Sequence, residues 1–317
     1  MIGTYEACPL FVPDSHDLRY LPEGPTAIGN GRFSWVAIQH GPDSLVGSLN
    51  IFDLNSRQNT RYNLPGRPGF AKPTSRDGVF IVGCERQLGL FHTQDSLWEV
   101  LIDGIDNDVS NTIINDGTCY EDNVIFGTKD LEFRTRKAGL YLYRGRDQQL
   151  FRLRADQICS NGKQVVSDGN ALWLFDIDSP TRKVVRYHLN LDLGRLENEE
   201  TVIDLSDLEG VPDGMVLTPN EKSVIISLYN PNPAKFGETR QYRLDGGQLE
   251  AIWRTPGSPQ ATCPALIEHP AGRVELVITT AVENMPQERW RDSPLAGALF
   301  IAETNLLAPV QRSRYNG

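Results

Sequence analysis

The sequence predicts an all-β fold, a six-bladed β-propeller with a metal site in its central channel. Three observations lead there. A unit of small turn, apolar strand, variable loop and second strand recurs along the whole chain. Its turns fall near Gly31, Asp77, Asp122, Asp168, Asn220 and Ala271, and this period of roughly 45–52 residues suits blades of four strands each. Seven or eight residues before these turns stand Glu23, Phe70, Asn115, Asn161, Asp213 and Cys263. Equal phase in a propeller means equal radius and height, so the four oxygen-bearing side chains should meet in the channel.

The strands follow in order. The first apolar runs are FSWVAI, GVFIVG, NVIFGT, ALWLFDI, SVIISLY and VELVITT; their partners are SLNIFDL, LGLFH, AGLYLY, KVVRYHL, TRQYRL and AGALFIAE. They are short, rich in β-branched and aromatic residues, and bounded by turn formers. Convincing helical periodicity is absent, and DLSDLEGV (204–211) is at most one turn of helix. The repeat fills residues 1–317 as a single domain. A ring of blades must close, so one or both terminal segments should complete the last blade, with ACPLFV a candidate strand.

Bulk properties narrow the partners. With 41 acidic and 31 basic residues the net charge is −10, which argues against nucleic acid as a partner. The densest basic stretch, Arg134 to Arg154, alternates with apolar residues and reads as the solvated faces of two strands. Cys8, Cys84, Cys119, Cys159 and Cys263 lack CxxC spacing and read as free thiols of a reducing compartment. The first residues show no leader pattern and no run is long enough to span a membrane, so a cytoplasmic protein without membrane partners is the simplest expectation. Oligomeric state is not legible.

Up-and-down strand order puts the loops Lys129–Lys137, Asn230–Glu238 and Val282–Pro294 on the rim of the polar set. The last, with Arg289, Trp290 and Arg291, is a candidate lid or substrate wall. Glu23 lies in LPEGP, Asn115 in INDG, Asn161 in CSNG and Asp213 in VPDGM, each beside a Gly that permits a tight or left-handed backbone. Two carboxylates and two amides are hard oxygen donors suited to Ca²⁺, Mg²⁺ or Mn²⁺. Without a metal, Glu23 and Asp213 would repel and act as an acid/base pair with one raised pKa. His16, His40, His92, His188 and His269 miss the channel phase. Cys263 shares that phase but lacks a histidine base, so a packing or site-lining role is expected.

These motifs, with GTK after INDG and SDGNALWLFDID after CSNG, resemble the senescence-marker-protein/gluconolactonase/luciferin-regenerating family of regucalcin-like six-bladed propellers. The resemblance spans about residues 20–305. It implies a metal-dependent hydrolase of lactones or esters acting on a small-molecule substrate. One divalent metal is implied, Ca²⁺ foremost, with Mg²⁺, Mn²⁺ or Zn²⁺ compatible. Carried over, Glu23, Asn161 and Asp213 are the metal ligands, Asn115 contacts substrate, and Asp213 is also the general base. Glu132 falls, after a one-residue gap, where some sugar lactonases have a substrate-contacting acid. Two positions depart from the pattern. Ile113 replaces an Arg common in sugar lactonases, and GTK replaces GTM, which turns Lys129 toward the pocket as a substrate-binding residue. The apolar Ile argues against aldonolactone specificity. Alternatives are a phosphotriesterase-like hydrolase on the same metal site, or a non-catalytic metal- or ligand-binding propeller.

Overall fold

A computed structural model describes residues 2–269, 272–310 and 313–317. Six antiparallel sheets, residues 22–63, 68–102, 112–157, 160–204, 211–256 and 261–303, form the blades in chain order. Their innermost strands are Pro22–Gly29, Pro68–Pro73, Thr112–Tyr120, Ser160–Ser167, Val211–Leu217 and Ala261–Glu268. Each contacts the next, and the last contacts the first, so the ring is closed. Six apolar clusters fill the interior, among them one that joins blades 2 and 3 through Phe70, Ile81, Ile114 and Phe126. No helix among the described residues is long and apolar enough to cross a membrane.

The apolar runs that stand out in the sequence are the second and third strands of each blade. The innermost strand precedes the turn and begins at the polar set itself. It escapes a hydropathy reading because it is short of apolar residues and rich in Gly and Pro, as in PEGPTAIG and VPDGM. The sixth turn, near Ala271, lies outside the described residues. Residues 204–211 form a turn, with Leu208 N–H donating to Leu205 O at 3.1 Å, and not a helix.

Every innermost strand pairs with its neighbour through an irregular register at the same point. The breaks fall between Glu23 and Thr26, Pro68 and Phe70, Ile114 and Asp116, Asn161 and Lys163, Pro212 and Met215, and Ala261 and Pro264. Such bulges leave a residue out of the ladder and re-aim its side chain. The adjoining glycines serve close approach more than backbone turning. Of Gly24, Gly117, Gly162 and Gly214, only Gly24 has a positive φ, at 55°. A Cβ on Gly162 would lie 2.8 Å from Asp213 O, and one on Gly214 would collide with Cys263 Sγ.

Closure uses the N-terminal segment. Cys8–Phe11 adds the outer strand of blade 6, antiparallel to Leu299–Glu303. Gly3–Glu6 runs parallel to Leu249–Pro256 as a fifth strand of blade 5. The described C-terminal residues add no strand to either blade, although Val310 N–H donates to Glu268 of blade 6 at 2.6 Å. Residues 313–317 cross blades 2 and 3, where Tyr315 N–H donates to Pro73 O and Asn316 N–H to Glu121 O, each at 2.9 Å. Deleting residues 1–12 strips both outer strands, and the melting temperature should fall by roughly 5–10 °C. An unchanged melt followed by circular dichroism would show that this seam holds nothing together.

Candidate functional site

The bulges deliver four polar residues to one mouth of the channel. Glu23, Asn115, Asn161 and Asp213 are all under 10% exposed and all line one cavity of about 570 Å³. The other two residues of equal phase do not join them. Phe70 is fully buried, its ring 6.2 Å from that of Phe126 between blades 2 and 3. Cys263 lines a second cavity of about 350 Å³ at the opposite mouth, with Lys72, Asp116, Lys163 and the C-terminal Ser313.

The amides are oriented from behind. Asn161 Nδ2 donates to Ser179 Oγ at 2.8 Å, so its Oδ1 is the atom turned to accept from Asn115 Nδ2, also at 2.8 Å. Asn115 Nδ2 further donates to Ser160 O at 2.9 Å. Asn115 Oδ1 is left with no hydrogen bond among the described residues. Glu23 Oε2 accepts from Gly24 N–H at 2.8 Å, which fixes the carboxylate beside the bulge.

Both carboxylates titrate abnormally. Burial, then repulsion from Asp116, pushes the Glu23 carboxyl up to about 8; the Gly24 N–H, Lys129 and Lys72 act in the other direction. Asp213 is raised well above its ordinary value by burial, then by Glu23 and Asp116, with Lys129 again opposing. The pair therefore lies within reach of each other's field. The thiols in the channel are inert at neutral pH. Burial raises Cys159 and Cys263 well above the usual thiol range.

Two buried, mutually repelling carboxylates beside oriented amide oxygens fit a hard divalent cation, which would relieve both the desolvation and the repulsion. Among the described residues no group of three His, Cys, Asp or Glu could hold a metal. A cation here would therefore depend on the Asn161 amide as well as on Glu23 and Asp213.

The rim is built as the loop order requires, with two exceptions. Lys129, Asp130, Leu131 and Phe133 line the cavity from blade 3, Pro231 from blade 5, and Glu283 and Asn284 from blade 6. Asp130 anchors its loop, its carboxylate accepting from the N–H groups of Glu132, Arg134 and Thr135 and pairing with Lys137 at 3.1 Å. Glu132 itself is exposed, outside the cavity lining, and accepts from Asn111 Nδ2 at 3.2 Å. Trp290 also misses the cavity. It stacks on His16 at 4.4 Å, while Arg289 donates to Pro231 O at 2.7 Å, so the 282–294 loop is pinned and only its first residues reach the site.

Sequence reasoning missed Tyr20, Tyr229, Glu283 and Cys159, which share the cavity. Of these Cys159 carried a signal, two residues before Asn161, and Glu283 lies in the Val282–Pro294 loop expected on the rim. No histidine lines the cavity among the described residues.

Comparison with known proteins agrees with this architecture. YvrE of Bacillus subtilis (strain 168), assigned as a sugar lactone lactonase, is 28% identical over 278 residues, 86% of this chain and 87% of that protein. The L-arabinolactonase of Azospirillum brasilense is 25% identical over 251 residues, 77% of each chain. Among solved structures, regucalcin of Agrobacterium tumefaciens str. C58, a calcium-binding protein, superposes with a TM-score of 0.81 at 19% identity, covering 99% of both chains. The family model for the SMP-30/gluconolactonase/LRE-like region matches residues 21–282. The chain therefore belongs to the SMP-30/gluconolactonase/LRE-like family.

Proposed function

We propose that the protein is a metal-dependent hydrolase of lactones or carboxylic esters. The observation that carries this reading is the pair of buried carboxylates, Glu23 and Asp213, set with two amides at the floor of a cavity able to hold a small molecule. The lactonase relatives support the reaction class, and the calcium-binding structural neighbour agrees with the oxygen-only donor set.

Glu23, Asn161 and Asp213 would hold the cation, Ca²⁺ first among Ca²⁺, Mg²⁺, Mn²⁺ and Zn²⁺. When bound, a divalent ion supplies Lewis-acid polarisation of the substrate carbonyl. Asp213, ionised beside the cation, would then take the proton of the attacking water. Asn115 positions the ring at the cavity floor through its polar head. Leu21, Ile38, Pro212 and Tyr229 exclude bulk water around it.

Asp213→Asn should lower kcat by roughly 10²–10⁴-fold, with an unaltered circular dichroism spectrum. A pH-indicator assay on a lactone and aryl-ester panel, with metal-stripped protein and each cation added back, reads this directly. A fully active Asp213→Asn protein, or turnover indifferent to every cation, would overturn the proposal.

Protonation gives a second check. The Glu23 carboxyl binds its proton more tightly folded, near 8, than at its ordinary value of 4.5. The folded state thus carries more protons between those values, so metal-free stability should fall as pH rises from about 4.5 toward 8. Thermal melts of metal-free protein should show that decline, and Glu23→Gln should flatten it. Parallel pH profiles for the two proteins would refute the assignment.

A further inference from the structure

Among the described residues, the cavity holds one cation whose side chain has no partner. Lys129 lies in the second strand of blade 3, Asn123–Asp130, and pairs in register with Ile113 on the innermost strand. Residues opposite each other in an antiparallel ladder share a face. Ile113 is apolar and 2% exposed, so it offers the ammonium nothing. Lys129 lines the 570 Å³ cavity, yet its ammonium makes no hydrogen bond and no ion pair with any described residue, and only its backbone is engaged, with Ile113 and Cys159. Arg67, the other cation of the lining, is locked to Glu85 through two bonds of 2.6 and 2.9 Å. Lys137 is engaged by Asp130.

The surroundings give this ammonium a direction. It shares the cavity with Glu23 and Asp213, and its charge favours their ionised forms. From the far side, blade 6 presents Glu283, whose negative charge repels an anion. The rest of the wall is largely apolar, with Leu131 and Phe133 exposed on the blade 3 rim. It has few free donors for a ring bearing several hydroxyls. Gln39 Nε2 is spent on Gly41 O and Pro42 O.

We infer that Lys129 receives a carboxylate borne on the substrate, so that the site selects acidic lactones over neutral ones. The proposal rests on the hydrolase reading above and adds the substrate class. One ammonium balances one carboxylate. A phosphate would bring a second negative charge into a basin that already holds Glu23, Asp213 and Glu283. The carboxylate would point to blade 3, away from Glu283, leaving the ring carbonyl over Asn115 and Asp213.

The test compares γ-butyrolactone with 5-oxotetrahydrofuran-2-carboxylate, the same ring with one added carboxylate, in wild type, Lys129→Met and Lys129→Arg. The quantity read is the ratio of kcat/KM for the acidic over the neutral lactone. A mere counter-ion to Glu23 and Asp213 would change both substrates alike and leave the ratio untouched. The expected result is a roughly 10–100-fold collapse of the ratio in Lys129→Met, carried mainly by KM, with recovery in Lys129→Arg. An unchanged ratio overturns the proposal. Should wild type hydrolyse neither lactone, the hydrolase reading is decided separately by the lactone and aryl-ester panel, and calorimetric titration with glutarate still decides this one. Binding that weakens at least tenfold in Lys129→Met upholds the anion site; equal binding removes it.

Discussion

Six strands crowd one axis, and the rest of the molecule answers to that crowding. Near the axis there is no room for a side chain between one strand and the next, as Gly162 and Gly214 show, where even a Cβ would strike the neighbouring blade. The register breaks at the same point in every blade, and in blades 1, 3, 4 and 5 the polar residue set free enters the channel. The glycines and the polar residues of LPEGP, INDG, CSNG and VPDGM are therefore one device. The glycine lets the backbones meet, and its neighbour is expelled inward.

The price of that arrangement is electrostatic. Glu23 and Asp213 lose solvation together and repel each other, with Asp116 adding to the repulsion from the lower part of the channel. Lys129 above and Lys72 below oppose it without forming a direct ion pair with either. Lys72 donates to Thr26 Oγ1 at 3.0 Å, and Lys163 is held by Asp176. A site left this unbalanced is poised to take up positive charge. A fully paired one would have no use for a cation.

Much of this was legible from residues alone, and the remainder was hidden for physical reasons. The second and third strands of each blade announce themselves because both of their faces are buried between blades. The innermost strands are buried too, but around the channel they interleave Gly, Pro and polar residues, so their composition resembles a loop. Their position came from phase, and the same phase misplaced Phe70, because a bulge can send an aromatic ring into the inter-blade core as well as into the channel. Trp290 looked like a lid residue because it lies in the longest rim loop. A long loop must be held down, however, and this one is: Arg19 donates to Pro294 O and Ala296 O, His16 stacks on Trp290, and the Arg289 side chain donates to Pro231 O. Tyr20, Tyr229 and Glu283 reach the cavity from outside the repeat's phase, where a period offers no guide.

The seam made by residues 3–11 also orders the assembly of the ring in time. Blades 1 to 4 are meanders of neighbouring strands, whose contacts are local. The partners of Gly3–Glu6 and Cys8–Phe11 lie about 250–290 residues away. Closing so long a loop adds little free energy, since the cost grows only with the logarithm of length, but non-local pairing is slow. Until it occurs, blades 5 and 6 each present an unpaired outer edge to any other strand in the vicinity. The hazardous interval for this chain is therefore after its last blade exists and before its first residues return. Because Ala7 alone separates the two strands of the strap, both edges are covered in one event.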